Sequence, residues 1–192
     1  LLFQEVPAMW FFPAVLLAAL GAAALAAALY NRLVRLRNTV ASSWSDIGVL
    51  LKKRYDLVDN LVETVKGYAA HEKTTLTGVT EARSRAAVAA TPAERSRAEG
   101  VFGRLVGGLF AVAESYPDLK ANAGFLGLQQ QLRDLEDQVE LARRTYNAAV
   151  RDYNTLTEAF PSNLVAESFG FARAEFFEPP PPEERPRPKV SF

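Results

Sequence analysis

From Met9 to Leu29 the chain reads MWFFPAVLLAALGAAALAAAL without one ionisable or strongly polar side chain. Beyond Asn31, apolar residues recur on alternating three- and four-residue steps. The first pattern predicts a transmembrane helix over 9–29, because at ~1.5 Å per helical residue the run matches a hydrocarbon layer of ~30 Å. A buried core helix of this length would carry a polar face, which is missing. A cleaved signal peptide is the alternative: Ala24 to Ala28 offer small residues for cleavage, but the segment before the run holds Glu5 and no basic residue. Residues 1–8 are an N-terminal flank.

The second pattern predicts a helical bundle over 31–177. Its first helix, about 31–70, has the seam Val40, Trp44, Ile47, Leu51, Val58, Leu61, Val65 and Tyr68, with Arg54 as a charged interruption. Apolar residues thin out through Ala70 to Thr74, which predicts a break. A second helix, about 74–90, then carries Leu76, Val79, Ala82 and Ala86. Thr91-Pro92-Ala93-Glu94 is a capping box with proline at the first helical position, and it opens a helix over about 92–116. The expected stripe of that helix is Val101, Phe102, Leu105, Leu109 and Val112. Gly100, Gly103, Gly107 and Gly108 each cost it up to about 1 kcal/mol.

Pro117 closes the third helix, and the fourth, about 122–159, has the most regular seam. Phe125, Leu128, Leu132, Leu135, Val139, Ala142, Tyr146, Ala149, Tyr153 and Leu156 keep the heptad spacing without a miss. Arg133, Asp134, Glu136, Asp137, Glu140, Arg143 and Arg144 fall on the opposite side and read as a solvated face. After Pro161, Ser162 and Asn163 are placed to cap a short helix over 163–170. Residues 178–192 hold six of the eleven prolines and read as a disordered proline-rich tail, with a peptide ligand for a proline-recognition module as the functional alternative. The fold class is therefore all-α: an N-terminal transmembrane helix followed by a long antiparallel bundle of four-helix type.

Charge then sets orientation. Arg32, Arg35, Arg37, Lys52, Lys53 and Arg54 follow the span and no basic residue precedes it, so the positive-inside rule places the C-terminal side in the cytoplasm. Inside the span, Ala14, Ala18, Ala22 and Ala26 form a small-residue strip on which a second helix could approach closely, leaving Leu16, Leu20 and Leu29 for lipid. The net charge of zero lacks the basic excess of nucleic-acid binders, so no nucleic acid is expected as a partner. With no cysteine and a single histidine, His71, thiol catalysis and Cys- or His-based metal clusters are excluded. No metal or cofactor site and no catalytic constellation is read in the chain, and His71 beside Glu72 reads as a helix-terminus pair.

The stretches RNTVASSWSDIGVLLKKRYDLVDNLVETVKGYAAHEKTTL, AESYPDLKANAGFLGLQQQL, ARRTYNAAVRDYNT and FPSNLVAESFGF, following an apolar span, resemble the LemA family of bacterial membrane proteins. The resemblance covers essentially residues 9 to 178 and is looser between Arg83 and Gly108. It implies a single membrane anchor, a long antiparallel bundle, no known cofactor and no established enzymatic activity. The family pattern falls on Asn38, Trp44, Arg54, Asn60, Tyr68, Tyr116, Asn122, Tyr146, Asn147, Tyr153 and Asn154. The pairs Tyr146-Asn147 and Tyr153-Asn154 repeat after one heptad, so their polar tips are expected to hydrogen-bond across helices and fix register. The functional expectation is a non-enzymatic, membrane-anchored scaffold that self-associates at the bacterial inner membrane. A regulatory adaptor for a membrane enzyme or transporter is the alternative. The expected partners are the lipid bilayer, further copies of the chain and a membrane protein.

Overall fold

The computed structural model describes residues 11–177; Met9, the N-terminal flank and the proline-rich tail lie outside the described residues. Within them the chain is all-α, with helices α1 (Phe11–Tyr68), α2 (Lys73–Val88), α3 (Pro92–Ala113), α4 (Pro117–Lys120), α5 (Ala123–Glu158) and α6 (Ser162–Ser168). The apolar run and the first seam, separated at Asn31 in the sequence reading, are one helix of 58 residues. Nothing between Tyr30 and Arg32 breaks it, since Asn31 keeps its backbone N–H and Pro13 sits in the first turn, where proline is tolerated. Its N-terminal part is long and apolar enough to cross a membrane.

The chain divides into two compact units. One takes the chain up to Ala41 with Arg151–Ala174, and the other takes Ser42–Val150 with the chain from Glu175.

In the second unit α1 and α5 run antiparallel, as three cross-helix pairs show. Trp44 and Tyr146 have ring centroids 5.4 Å apart, Arg54 Nη2 lies 2.8 Å from Glu136 Oε2, and Asn122 Nδ2 donates to Tyr68 Oη at 3.0 Å. Positions rise along α1 as they fall along α5. The interior is built from Ile47, Leu51, Val58, Leu61 and Val65 of α1 with Leu132, Leu135 and Val139 of α5. Each large aliphatic side chain buried there contributes roughly 1.5–3 kcal/mol. Leu76, Val79, Ala82 and Ala86 of α2 are buried as their spacing implied. Tyr68 is exposed instead, and Ala69 takes the buried place beyond the helix end.

Thr91 caps α3 as its motif requires: Thr91 Oγ1 accepts from the Glu94 N–H at 3.2 Å, and Glu94 Oε2 accepts from the Thr91 N–H at 3.3 Å. The buried face of α3 differs from the expected stripe. Ser96, Glu99, Phe102, Val106, Leu109 and Ala113 face inward, whereas Val101 is exposed and Leu105 and Val112 are only partly covered. The glycines of α3 blur its apolar period, and the buried face continues toward the N-terminus through two polar residues.

In the first unit Leu33, Tyr153, Val165, Ala166 and Phe171 form a core, and Ala26, Leu29, Val34 and Leu156 are partly buried against it. Leu29 is thus covered by its own chain, and so is Ala26, the last member of the small-residue strip. Ser162 does not cap α6: its hydroxyl donates to the Ala159 carbonyl at 2.8 Å, and Pro161 occupies the cap position. The helix stops at Ser168, and Gly170, two residues on, adopts φ 69°. This left-handed turn lets the Phe171 N–H reach the Ala166 carbonyl at 2.9 Å and the Gly170 N–H reach Glu167 at 3.3 Å.

Candidate functional site

Arg54 stands where an apolar seam residue belongs, and the Ser42–Val150 unit answers with an acid on the facing helix. Arg54 and Glu99 are both only 7% exposed. Arg54 Nη1 donates to Glu99 Oε2 at 2.8 Å, its Nη2 pairs with Glu136 at 2.8 Å, and Tyr55 Oη donates to the other Glu99 oxygen. The guanidinium also lies 5.2 Å from the centre of the Phe102 ring. Gly103 lies beside the guanidinium, where a Cβ would make ordinary van der Waals contact at 3.5 Å from Arg54 Nη2. A charge this deep is tolerable only when it is paired, and here Glu99 and Glu136 meet Arg54 while Tyr55 and Arg54 meet Glu99.

Beside the pair is a cavity of about 180 Å³ lined by Arg54, Ser96, Glu99, Glu136 and Arg143. Ser96 Oγ is buried without a hydrogen-bond partner among the described residues. Arg143, half-buried, stacks 4.7 Å from the Phe177 ring centre. Burial pushes the Glu99 carboxyl above the ordinary carboxylate range, against the opposing pull of the Tyr55 hydroxyl and Arg54. Burial, followed by the Glu99 charge, raises the Tyr55 phenol. Burial lowers the Arg143 guanidinium, with Glu136 and Glu99 opposing. Both carboxylates of the cavity are taken by one guanidinium, so the arrangement suits water or a small polar group rather than a cation. Among the described residues no group of three or more His, Cys, Asp or Glu side chains is placed to hold a metal.

A second kind of polar contact involves the Tyr-Asn pairs. In the Ser42–Val150 unit Asn147 Nδ2 donates to the Phe177 carbonyl at 3.0 Å while its Oδ1 accepts from the Phe177 N–H at 2.9 Å, and Tyr146 Oη donates to the Glu175 carbonyl at 2.7 Å. In the other unit the same contacts recur. Asn154 exchanges bonds of 3.0 and 2.9 Å with Ala174, and Tyr153 Oη donates to Ala172 at 2.9 Å. Each asparagine amide imitates a neighbouring strand, satisfying both backbone groups of one residue in a segment that has no regular structure. The expectation that these pairs bridge helices is corrected: they hold residues 172–177, whose backbone would otherwise lack partners. Burial raises both tyrosine phenols, against Arg37 in the case of Tyr153 and with Glu175 adding to it for Tyr146.

The sequence model of the LemA family matches residues 43–192, well over half of the chain. The chain belongs to the LemA family. Magnetosome proteins MamQ 2 and MamQ 1 of Paramagnetospirillum magneticum are each 26% identical to it over 183 aligned residues, covering 82% of this chain and 67% of theirs. Protein LemA of Metamycoplasma hominis is 25% identical over 149 residues, covering 77% of this chain and 68% of its own.

The LemA-type positions do not converge on one place. Arg54 is in the buried pair. Trp44 packs on Tyr146 and on Phe177, with Arg95 5.4 Å from its ring centre. Asn122 caps α5 by accepting from the Phe125 N–H at 3.0 Å and also reaches Tyr68. Asn60 and Asn38 are exposed; Asn60 offers its carbonyl to Thr64, and nothing in the structure explains Asn38. Tyr116 sits at the start of α4, half-buried, without a side-chain hydrogen bond among the described residues. Glu136, exposed as its spacing implied, and Arg143, half-buried where a solvated residue was expected, both line the cavity. Glu99 was missed, although stepping back three residues from Phe102 along the buried face lands on it.

Proposed function

We propose that the chain is a non-enzymatic, membrane-anchored scaffold whose bundle lies on the cytoplasmic side of the bacterial inner membrane and which self-associates there. The observation that carries this reading is α1, one helix from Phe11 to Tyr68 that joins the apolar run to the first bundle seam without an interruption. The polar interior supports the same view, because Arg54, Tyr55, Glu99 and Glu136 are used up by one another. Ala14, Ala18 and Ala22 stay exposed on the span as a surface for a second span, whereas Ala26 does not.

The test is the mass of the intact protein purified in mild detergent, together with crosslinking in native membranes. Homo-oligomers that disappear in the A18L/A22L variant are expected. A monomer with a stoichiometric foreign membrane protein would overturn self-association in favour of the adaptor reading. A reporter active only in the cytoplasm, fused after Phe171, tests the orientation, and a silent reporter would reverse it.

A further inference from the structure

The motif FPSNLVAESFGF serves the core with only part of its apolar residues. Val165, Ala166 and Phe171 are buried, whereas Phe160, Leu164 and Phe169 are 81, 54 and 62% exposed. The depth of this exposed group is set by what its buried neighbours touch. The core that contains Val165 and Ala166 also covers Ala26 and Leu29, in the last turn of the apolar run. Phe169 lies 4.9 Å from the ring of Tyr30, the residue that ends the run. From Ala26 to Tyr30 is only ~6 Å along a helix axis. If the run spans a ~30 Å hydrocarbon layer, the layer ends near Leu29, and α6 is level with that boundary.

We propose that Phe160, Leu164 and Phe169, with Tyr30, form a lipid-facing seat that sets the end of α5 and α6 into the bilayer interface; this rests on the anchoring reading above. Aromatic residues concentrate at that level because the interface accepts an apolar ring beside polar groups. Glu167 and Ser168 fall on the same exposed side of α6 as Leu164 by helical period, and both are exposed. Because these polar groups share a side with Leu164, that side fits the headgroup level and not the hydrocarbon interior. Arg32 and Arg35, exposed on the next turn of α1, lie where anionic headgroups would meet them.

The chain has no cysteine, so a single introduced cysteine labels one position. The experiment places spin labels at L164C and F169C in the intact protein, reconstituted in phosphatidylcholine vesicles. It then compares collision with oxygen, which concentrates in lipid, with collision with a water-soluble nickel chelate. L20C within the span and V88C on the exposed end of α2 serve as references. The expected result is a nickel accessibility several-fold lower at Leu164 and Phe169 than at Val88, with oxygen accessibility between those of Val88 and Leu20. Labels at 164 and 169 that match Val88, with Leu20 deep in lipid, overturn the seat and leave the anchor standing. A water-exposed Leu20 overturns both. Labels shielded from both reagents, with spectral broadening relieved by unlabelled protein, would show a second copy on the patch and overturn the lipid assignment.

Discussion

Arg54 and Glu99 stand 45 residues apart in the chain and 2.8 Å apart in the bundle. Removing one partner leaves the other's buried charge without its nearest counter-charge, so R54M or E99L alone should cost up to about 3–5 kcal/mol. The double variant R54M/E99L replaces both by apolar groups and should lose less than either single change. Unfolding of the purified protein followed by circular dichroism reads the difference, and strictly additive losses would show that the two side chains are not coupled.

The same carboxyl makes stability depend on pH. Folding raises Glu99 above its ordinary value of 4.5, so between that value and the folded one the native state holds a proton that the unfolded chain has released. Stability from this group is therefore present at acid pH and declines as pH rises toward neutral. Tyr55 is raised too and has the same sign in the alkaline range, its contribution declining above about pH 10. The midpoint difference between E99Q and the parent should move in favour of E99Q as pH increases from 4 to 7. A shift the other way would mean that the Arg54 attraction outweighs burial.

Asn147 satisfies both backbone groups of Phe177. N147A leaves that N–H and carbonyl without their partner and should cost about 1–3 kcal/mol. N147D keeps the acceptor and loses the donor. Amide exchange at Phe177 should speed up markedly in N147A and much less in N147D, while Ala174 exchange responds to N154A instead.

Two glycine substitutions should act in opposite directions. G170A forces a side chain onto φ 69° and should destabilise by about 1–2 kcal/mol. G127A, within α5 and with open space around its Cβ position, should stabilise by up to about 1 kcal/mol. Thermal melts compare them directly.

What could be read from the residues was whatever is periodic or local. Ile47, Leu51 and Val58, like Leu132, Leu135 and Val139, announce their buried sides by spacing, and Thr91 with Glu94 announces a helix start within four residues. Glu99 was hidden because its partners are on another helix and because glycines interrupt the stripe that would have included it. The partners of Asn147 and Asn154 lie in a segment without periodicity, where no pattern marks a backbone in need of hydrogen bonds. Hydropathy alone assigned Leu29 to lipid; that its own chain covers it depends on the turn between α5 and α6 and on Val165, Ala166 and Phe171.

The antiparallel pairing of α1 with α5 also bears on the order in which the chain folds. Even its closest junction, Tyr68 with Asn122, joins residues 54 positions apart, and the pairs nearer Trp44 enclose far more. Entropy makes such long closures late events, whereas α2 and α3 are joined by a short capped turn. During vectorial synthesis the apolar run and the bare seam Ile47-Leu51-Val58 are complete long before Leu132 leaves the ribosome. The α2–α3 hairpin is thus the first available cover for that seam, and R54M or E99L should slow folding as well as weaken the finished bundle.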